Sequence, residues 1–378
     1  MKIDFFAGIE VDDAVYFSAW NVNGMFKMDR NTGNITYIGC AENEKMDHAL
    51  HYHVFKHQKK LYFIPGYGDC IAVLDVKDLS IRTITLPERE HICQTNKFAE
   101  IVHVENDLWL IPVGYDAVLR LDLETEKLEV FDNWPEGVTW ESEVSMQFNS
   151  AIYVSGHICM LPRESKFFVT FDVKNKKMQK WDWKYPEFAF DAMVFQNECI
   201  WFLPRVDYPY IVKYSIEKKE EELIELKEEI QDEVLCLYCL PLVIDNKIIR
   251  APYQSEYWFI LDTNTNQISK IKSASSEYPM FQKLTIWKDG LLATSGIRGK
   301  GEYLSKDLEK IEEIIFEVRE VASYLQDRMK SCGKSEVIFK EEKFMLQAYL
   351  KAITSVEKNI AGLERITNGR EIYAKLVE

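Results

Sequence analysis

One apolar phrase recurs seven times along the 378-residue chain, and this repeat constrains the fold more than any other feature. The clearest copies are LYFIPGYGDCIAVLDV at 61–76, LWLIPVGYDAVLRLDL at 108–123, IWFLPRVDYPYIVKYSI at 200–216 and IIRAPYQSEYWFILDT at 248–263. The seven copies begin 43 to 48 residues apart, at Val15, Leu61, Leu108, Ile152, Ile200, Ile248 and Leu291. A period of this length predicts repeated supersecondary units.

Each copy also carries the signature of a tight hairpin. A polar residue closes the second strand of the phrase, at Asp29, Asp75, Asp122, Asp172, Ser215, Asp262 and Ser305. Turn-forming stretches such as DRNTGN and DTNTNQ follow, in which Asp and Asn cap the backbone and Gly or Asn accepts positive φ. An alternating strand such as HYHVFKH or FAEIVHV precedes each phrase. The unit is therefore four strands in about 45 residues.

Four antiparallel strands per unit at this period are typical of a β-propeller blade. Seven units over residues 1–312 predict an all-β, seven-bladed β-propeller. The chain resembles the propeller superfamily in its kelch-like and SMP-30-like range. The Gly-His and Trp-Asp pairs of WD40 repeats do not recur from unit to unit, and the double Gly of kelch repeats is absent, so no site residue is carried over from a family. An array of β-sandwiches is the alternative, and the strict period disfavours it.

The alternation stops after Ile311, and residues 313–378 are predicted to form a helical tail. Its second helix has a seam at coiled-coil spacing, through Phe339, Leu346, Tyr349, Ile353, Val356, Ile360 and Leu363. This helix either packs on the propeller or its partner helix, or it mediates homo-oligomer formation or docking to a partner protein. The last residues, NGREIYAKLVE, resemble the tails of bacterial proteins associated with surface-glycan assembly, which implies a bacterial source.

Charge and hydropathy exclude two classes of partner. The formal charge of −15 disfavours nucleic acid and anionic lipid. The N-terminal stretch lacks the apolar region of a signal peptide, and no later run approaches the ~20 apolar residues of a membrane span. We therefore expect a cytoplasmic protein with reduced thiols. Cys236 and Cys239 form a CxxC, but three residues apart on a strand they point to opposite faces, which favours buried thiols over a metal or redox pair.

The predicted ligand site lies on one face of the propeller. Loops between the second and third strands of a blade open on the same face as the loops between blades, and here they are rich in Tyr, Asp, Glu and Arg. Aromatic faces beside charged groups suit a small polar, glycan-like or peptide ligand. The predicted ligand-binding residues are Trp20, Tyr67, Asp69, Tyr115, Asp116, His157, Arg163, Arg205, Asp207, Tyr208, Tyr253, Glu256 and Arg298. Simple solvation of these loops is the alternative interpretation.

A second candidate site lies in the channel. His51 and His53 share a face of an innermost strand, and the register predicts that His53 lies beside Glu100 of the next blade. With Glu143 or Asp191 they could hold one divalent metal that activates water, as in the SMP-30-like lactonases that the fold resembles. Imidazoles in a water-filled channel are the alternative. His157, assigned to a long loop, is a candidate general base.

The sequence is compatible with three functions. The first is a binding module for a small polar, glycan-like or peptide ligand at the top-face mouth. The second is a metal-dependent hydrolase or lyase that uses the His/Glu channel site. The third is a protein-interaction scaffold. No cofactor other than that metal is predicted, because the chain has no G-x-S-x-G, P-loop or dinucleotide fingerprint.

Overall fold

The computed structural model describes residues 3–41, 44, 49–89, 96–138, 148–162, 167–182, 190–204, 210–226, 238–273, 281–295 and 299–317. These residues form 28 strands in seven four-stranded antiparallel sheets, and they contain no helix long and apolar enough to cross a membrane. The prediction of an all-β, seven-bladed propeller is confirmed. The predicted helices of the tail and their seam lie outside the described residues.

Each of the first four blades is built from four consecutive strands. Blade 1 comprises β1 (Phe5–Val11), β2 (Ala14–Ala19), β3 (Met25–Asp29) and β4 (Ile35–Gly39). Blade 2 comprises β5 (His51–His57), β6 (Lys60–Pro65), β7 (Cys70–Asp75) and β8 (Ile81–Thr85). Blade 3 comprises β9 (Phe98–Val104), β10 (Asp107–Pro112), β11 (Val118–Asp122) and β12 (Leu128–Phe131). Blade 4 comprises β13 (Phe148–Val154), β14 (His157–Pro162), β15 (Phe167–Asp172) and β16 (Lys177–Asp182).

The last three blades repeat this plan. Blade 5 comprises β17 (Phe190–Gln196), β18 (Cys199–Pro204), β19 (Tyr210–Ser215) and β20 (Glu220–Glu225). Blade 6 comprises β21 (Leu242–Ile244), β22 (Lys247–Arg250), β23 (Tyr257–Asp262) and β24 (Gln267–Lys272). Blade 7 comprises β25 (Lys283–Trp287), β26 (Gly290–Thr294), β27 (Lys300–Leu304) and β28 (Lys310–Ile315). First strands of neighbouring blades contact one another, so they are innermost and line the channel.

The ring closes without exchange of a strand between the first and last blades. The Ile3 amide donates a hydrogen bond to the Phe316 carbonyl at 2.9 Å, and the Phe5 and Phe316 rings stack with centroids 5.1 Å apart. Phe316 is fully buried and directly follows β28. The propeller therefore continues past the predicted boundary at residue 312, because strand β28 extends to Ile315.

The hairpin signature forms as predicted. The Asp29 carboxylate accepts hydrogen bonds from the backbone amides of Asn31 and Thr32 at 2.9 and 2.8 Å, and Asp122, Asp172 and Asp262 cap their turns in the same way. These backbone hydrogen bonds lower the pKa of all four carboxyl groups. The polar residue that closes each third strand is therefore the cap that fixes the turn.

A ring of aromatic residues surrounds the top of the channel, one from each blade. The ring consists of Phe5, His51, Phe98, Phe148, Phe190, Tyr238 and Phe281, and all seven are buried. Five of them pair with a proline on the second strand. His51 pairs with Pro65 in this way, and Tyr238, the fifth, pairs with Pro252 through an isolated bridge. The first strand bulges just after the aromatic residue in blades 1 to 5, and this includes blade 1, where Phe5 pairs with Ala19 instead of a proline.

Blade 4 differs from the prediction in register. Ile152, predicted to open the second strand, lies on β13, and the second strand is His157–Pro162. Backbone pairing makes Ile158 the equivalent of Leu61. The tight turn at Ser155 and Gly156, both with positive φ, separates the two strands. The terminal Pro162, which matches Pro65 and Pro112, is the sequence signal that would have given the correct register.

Candidate functional site

Three aromatic side chains from blades 1 and 2 are in contact at the top mouth of the channel, and a fourth, from blade 6, lies near them. The Trp20 ring meets the Tyr52 ring edge-on, with centroids 5.1 Å apart, and Tyr52 stacks on Tyr67 at 6.2 Å. Burial raises the pKa of Tyr52, the neighbouring Tyr67 hydroxyl raises it further, and Tyr253 of blade 6 adds a smaller effect. All four rings are half-buried, so part of each remains accessible. The mouth is therefore an aromatic surface.

Local backbone geometry places Tyr52 at this mouth. Tyr52 is the bulged residue of β5, between the paired residues His51 and His53. A side chain at Gly66 would overlap the Tyr52 ring, because its Cβ would lie 1.7 Å from Cδ2. Gly66, the first glycine of the phrase IPGYGD, is thus required for the close approach of the Tyr52 ring.

Two buried charged side chains hold the loop that carries Tyr67 and Asp69. The Glu44 carboxylate accepts hydrogen bonds from the backbone amides of Asp69 and Cys70 at 2.5 and 3.0 Å. The Lys97 side chain is only 4% exposed, and its ammonium group lies 3.1 Å from Asp69 Oδ1 and donates to the Tyr67 carbonyl at 3.2 Å. Asp69 itself keeps 68% of its side chain exposed. The loop is fixed, while its carboxylate remains accessible.

A polar level of the channel lies directly below the aromatic mouth. His53, Glu100 and Lys283 are each four residues before the end of a first strand, so they occupy one level in blades 2, 3 and 7. His53 Nδ1 lies 4.0 Å from Glu100 Oε1, which confirms the predicted proximity of these two residues. Lys283 is near enough to act electrostatically on both. Lys283 was not among the predicted residues, although it occupies the same level of its first strand as His53 and Glu100 do in theirs.

Burial displaces the pKa of each group in this level toward its neutral form. It lowers the pKa of His53 to about 3, an effect that the Lys283 charge reinforces. It raises the pKa of Glu100, against the effect of Lys283. It lowers the pKa of Lys283, against the effect of Glu100. His53 is thus a neutral imidazole at physiological pH, and its Nε2 is buried without a hydrogen-bond partner among the described residues.

The predicted metal set is not assembled. His51 belongs to the buried aromatic ring, where it meets Phe63 edge-on at 5.9 Å and burial lowers its pKa to about 3. Among the described residues, no three His, Cys, Asp or Glu side chains are placed to hold a metal ion. Asp191 pairs with an arginine away from this level, and Glu143 lies outside the described residues. His51 was misassigned because an imidazole here replaces the Phe or Tyr of other blades.

Two predicted ligand residues are structural. Tyr115 is fully buried, donates its hydroxyl hydrogen to the Pro87 carbonyl at 2.6 Å and has its pKa raised to about 12 by burial. Asp116 is buried and binds the Arg89 guanidinium at 2.7 Å, and its carbonyl accepts the Trp134 indole hydrogen at 2.8 Å. Because both side chains pack inside the loop connections, placing them in the ligand mouth was wrong.

The other predicted ligand residues are divided between the periphery and the undescribed loops. His157 begins β14 at the hairpin between the first and second strands, which is the opposite face from the mouth, so its predicted location in a top-face loop was wrong. Glu256 lies outward, 3.5 Å from Lys272 of the outermost strand. Arg163, Arg205, Asp207, Tyr208 and Arg298 lie outside the described residues, as does Cys236. The Cys239 thiol is buried and donates to the Phe281 carbonyl.

A buried ion pair beside the mouth was also missed. The Arg250 guanidinium donates to both oxygens of Asp191, at 3.0 and 2.9 Å, and to the carbonyls of Pro204 and Cys239. Arg250 stands at the position that Phe63 occupies in blade 2, which is the signal that could have identified it. Since the pair joins blade 5 to blade 6, it anchors the blade that carries Tyr253.

Comparison with known proteins supports the fold and leaves the family open. No family model matches the chain, and no curated protein matches it. A streptogramin B lyase structure superposes with a TM-score of 0.59 at 13% identity, covering 78% of this chain and 91% of the lyase. Virginiamycin B lyase from Staphylococcus aureus gives 0.58 at 10% identity, covering 78% of this chain and 94% of that one. PorZ, a surface component of the Porphyromonas gingivalis type-IX secretion system, gives 0.59 at 10%, covering 84% of this chain and 39% of PorZ. At such identities, the likeness concerns the fold alone.

Proposed function

We propose that the protein binds a small polar or glycan-like ligand at the top mouth of the propeller. The observation that carries this proposal is the contact among the Trp20, Tyr52 and Tyr67 rings above the channel, with Tyr253 of blade 6 nearby. Aromatic rings cover the apolar face of a sugar or of a planar ligand and lose little conformational entropy on binding. The exposed Asp69 carboxylate, fixed by Lys97, supplies a directional acceptor for hydroxyl or amide hydrogens.

The preformed architecture of the mouth favours binding of a small ligand over use as a flat docking surface. Gly66 permits the close packing of Tyr52, and Glu44 and Lys97 hold the adjacent loop, so the rings are positioned before a ligand arrives. Preorganised rings cost little further ordering. Concave aromatic sites with a few fixed polar groups are typical of small-molecule sites.

A glycan array followed by a short-peptide array tests this proposal. We expect a sugar or a polar peptide to bind the wild type, and Tyr253→Ala and Trp20→Ala each to weaken binding at least ~10-fold through lost ring contact. Glu256→Ala is the matched control, because it alters the same blade 6 loop as Tyr253 but faces outward. Equal binding by Tyr253→Ala, Trp20→Ala and wild type would remove the mouth as the site.

The channel level supports a second candidate, a lyase or hydrolase that works by acid–base chemistry. His53 is a neutral base with an unpartnered buried nitrogen, Glu100 lies beside its other nitrogen, and Lys283 adds a cation at the same level. Burial raises the pKa of Glu100, which moves this carboxyl toward the range in which a general acid works, and displaced pKa values in a cleft are typical of functional groups. Turnover of a ligand bound at the mouth, lost in His53→Gln with binding retained, would establish this function. Unchanged turnover in His53→Gln would exclude His53 as the base.

A further inference from the structure

Each blade directs one second-strand side chain toward the next blade at the same position of the repeat. Pairing with the third strand identifies these residues as Tyr16, Tyr62, Trp109, Cys159, Trp201, Ile249 and Leu292. Six of the seven are large. The thiol of Cys159 in blade 4 is the exception, and its third-strand partner Thr170 is also small.

The junction between blades 3 and 4 shows what the large side chain does. Trp109 is buried, and its ring centroid lies 5.0 Å from Phe171 of blade 4 and 5.4 Å from Phe131 of its own outermost strand. These rings fill the space between the two sheets. Cys159 cannot fill the equivalent space at the next junction.

A cleft of about 980 Å³ lies between blades 4 and 5. Cys159 and Thr170 form part of one wall, and the opposite wall consists of Met193, Ile200, Phe202 and Val212 of blade 5. Burial raises the pKa of Cys159 to about 11, so the thiol stays protonated and acts as an apolar wall group. The size and the apolar lining match those of a small-molecule site.

One tryptophan is left with an accessible face at this cleft. Trp181 takes the outer-strand position that Phe131 takes in blade 3, but it has no second-strand ring to pack against. Its indole N–H donates to the Thr170 hydroxyl at 2.9 Å, its ring stacks on Phe168, and 45% of it is exposed. The indole is thus oriented but only partly covered.

The outer rim of this junction also lacks a contact that its neighbours have. A turn residue of the following blade binds an outer-strand side chain of the preceding blade in three junctions: Glu126 binds Arg82, Lys176 binds Glu129 and Asn266 binds Glu222. Gln179 and Lys219 occupy these positions between blades 4 and 5. Neither side chain has a hydrogen bond or ion pair within the part of the chain that the structure describes. The entrance is therefore not bridged by these two residues.

Other junctions indicate what chemistry the cleft would accept. In blades 1 and 5, a lysine of the third strand lies over the aromatic ring of the second strand. Lys27 Nζ is 5.7 Å from the centroid of the Tyr16 ring, and Lys213 Nζ is 5.0 Å from the centroid of the Trp201 ring. In blade 4, Cys159 and Thr170 supply neither the ring nor the cation. A ligand that brings both would restore the arrangement found in these blades.

The charges around the cleft agree with a cationic ligand. The Asp172, Asp182 and Glu221 side chains line the cleft beside Lys177 and His157. Lys180 neutralises part of the Asp182 charge at 3.1 Å, and His157 lies 3.8 Å from Asp172. Backbone hydrogen bonds lower the pKa of Asp172, which keeps this carboxylate ionised. Carboxylates thus outnumber lysines on the lining.

We propose that the cleft between blades 4 and 5 is a second binding site, for a small molecule that combines a planar aromatic ring with a cationic group. The ring lies over the apolar cluster in which Cys159 and Phe202 are buried, and it stacks beside Trp181. The cation lies over Thr170, near Asp172. This site is separate from the top mouth, because it is lined by strands and turns of two blades between the sheets.

Titration of the intact protein with tryptamine, followed by NMR, tests the proposal, with tryptophol as the neutral ligand of matched shape. We expect tryptamine to bind at least ~3-fold more tightly than tryptophol because only tryptamine carries the cation. Cys159→Trp, which installs the residue of blades 3 and 5, should weaken both at least ~10-fold. Trp20→Ala at the mouth should leave both affinities unchanged.

Thr170→Lys is the second variant, because it keeps the apolar walls and adds the cation that blade 5 carries at this position. It should weaken tryptamine more than tryptophol. The proposal is overturned if tryptamine binds Cys159→Trp as tightly as wild type in a folded protein, or if Thr170→Lys weakens both probes equally. Loss of binding in Trp20→Ala, or no binding to wild type at millimolar tryptamine, also overturns it.

Discussion

The junction between blades 3 and 4 and the junction between blades 4 and 5 are built on the same plan but are filled differently. The first contains the Trp109, Phe131 and Phe171 rings and is bridged at its rim by Lys176 and Glu129. The second has Cys159 at the position of Trp109 and leaves a cleft of about 980 Å³. In a closed ring every blade is held from both sides, so one junction can be loosely packed while the fold is kept.

Opening the filled junction should have the largest effect. Trp109→Cys gives blade 3 the residue of blade 4, removes a buried indole and leaves a cavity. We expect a loss of about 3–5 kcal/mol in the free energy of unfolding, measured by urea denaturation. Trp181→Cys is the matched control, since the same change at a half-exposed indole should cost less than about 1 kcal/mol. Equal losses would show that the two junctions do not differ in packing.

Filling the loose junction is the converse change, and its effect should be smaller. Cys159→Trp should raise the free energy of unfolding by about 0.5–2 kcal/mol, because the cleft has room for an indole that other blades already accommodate. Thermal and urea unfolding measure this gain, and Cys199→Trp in blade 5 is the control, because Cys199 is also a buried thiol but does not line the cleft. A loss of about 1–3 kcal/mol, the usual cost of overpacking, would contradict the comparison.

The features that the sequence predicted correctly are those that form within a single blade. The period and the capped turns predicted seven blades, because both depend on backbone geometry that every blade repeats. The turn after Asp172 forms with the same hydrogen bonds as the turn after Asp29, although the loops around them differ. Local signals of this kind do not depend on what lies in the next blade.

Sites were harder to predict because they depend on contacts between blades. Tyr67 contacts Tyr52 at the mouth, whereas Tyr115, one position later in the corresponding loop of blade 3, is buried against Phe98 and the Pro87 carbonyl. The repeat gives a residue its level and face, and the neighbouring blade decides its burial. Lys283 was missed for the same reason: its neighbour Glu100 belongs to blade 3, which is far from blade 7 in the sequence.

The filled junctions further suggest that the ring and its cation stabilise each other. Thr170→Lys added to Cys159→Trp would recreate the Trp201 and Lys213 pair of blade 5. We expect a favourable coupling of about 0.5–1 kcal/mol in a double-mutant cycle, because the ammonium group lies over the new ring. Additive effects of the two substitutions would mean that the lysine points to solvent. Thr170→Met is the control, because methionine supplies an aliphatic side chain without the positive charge.

The rim offers the smallest and most specific change. Gln179→Glu should create an ion pair with Lys219 like the one between Glu129 and Lys176. In that pair, the hydrogen bond from Lys176 is the largest of the effects that lower the pKa of Glu129. Because these side chains are substantially exposed, the gain should be only about 0.2–1 kcal/mol and should decrease with salt.

The pH dependence of this gain distinguishes an ion pair from better packing. A glutamate whose pKa is lowered in the folded state stabilises the protein above its unfolded value of about 4.5, and this stabilisation is lost as the pH falls through the folded pKa. The unfolding free energies of Gln179→Glu and wild type should therefore differ at pH 7 and converge below about pH 4. Gln179→Met is the control for packing and should show no such convergence. If the gain of Gln179→Glu persisted at low pH, or if Gln179→Met matched it at pH 7, the open rim would not be the result of a missing charge.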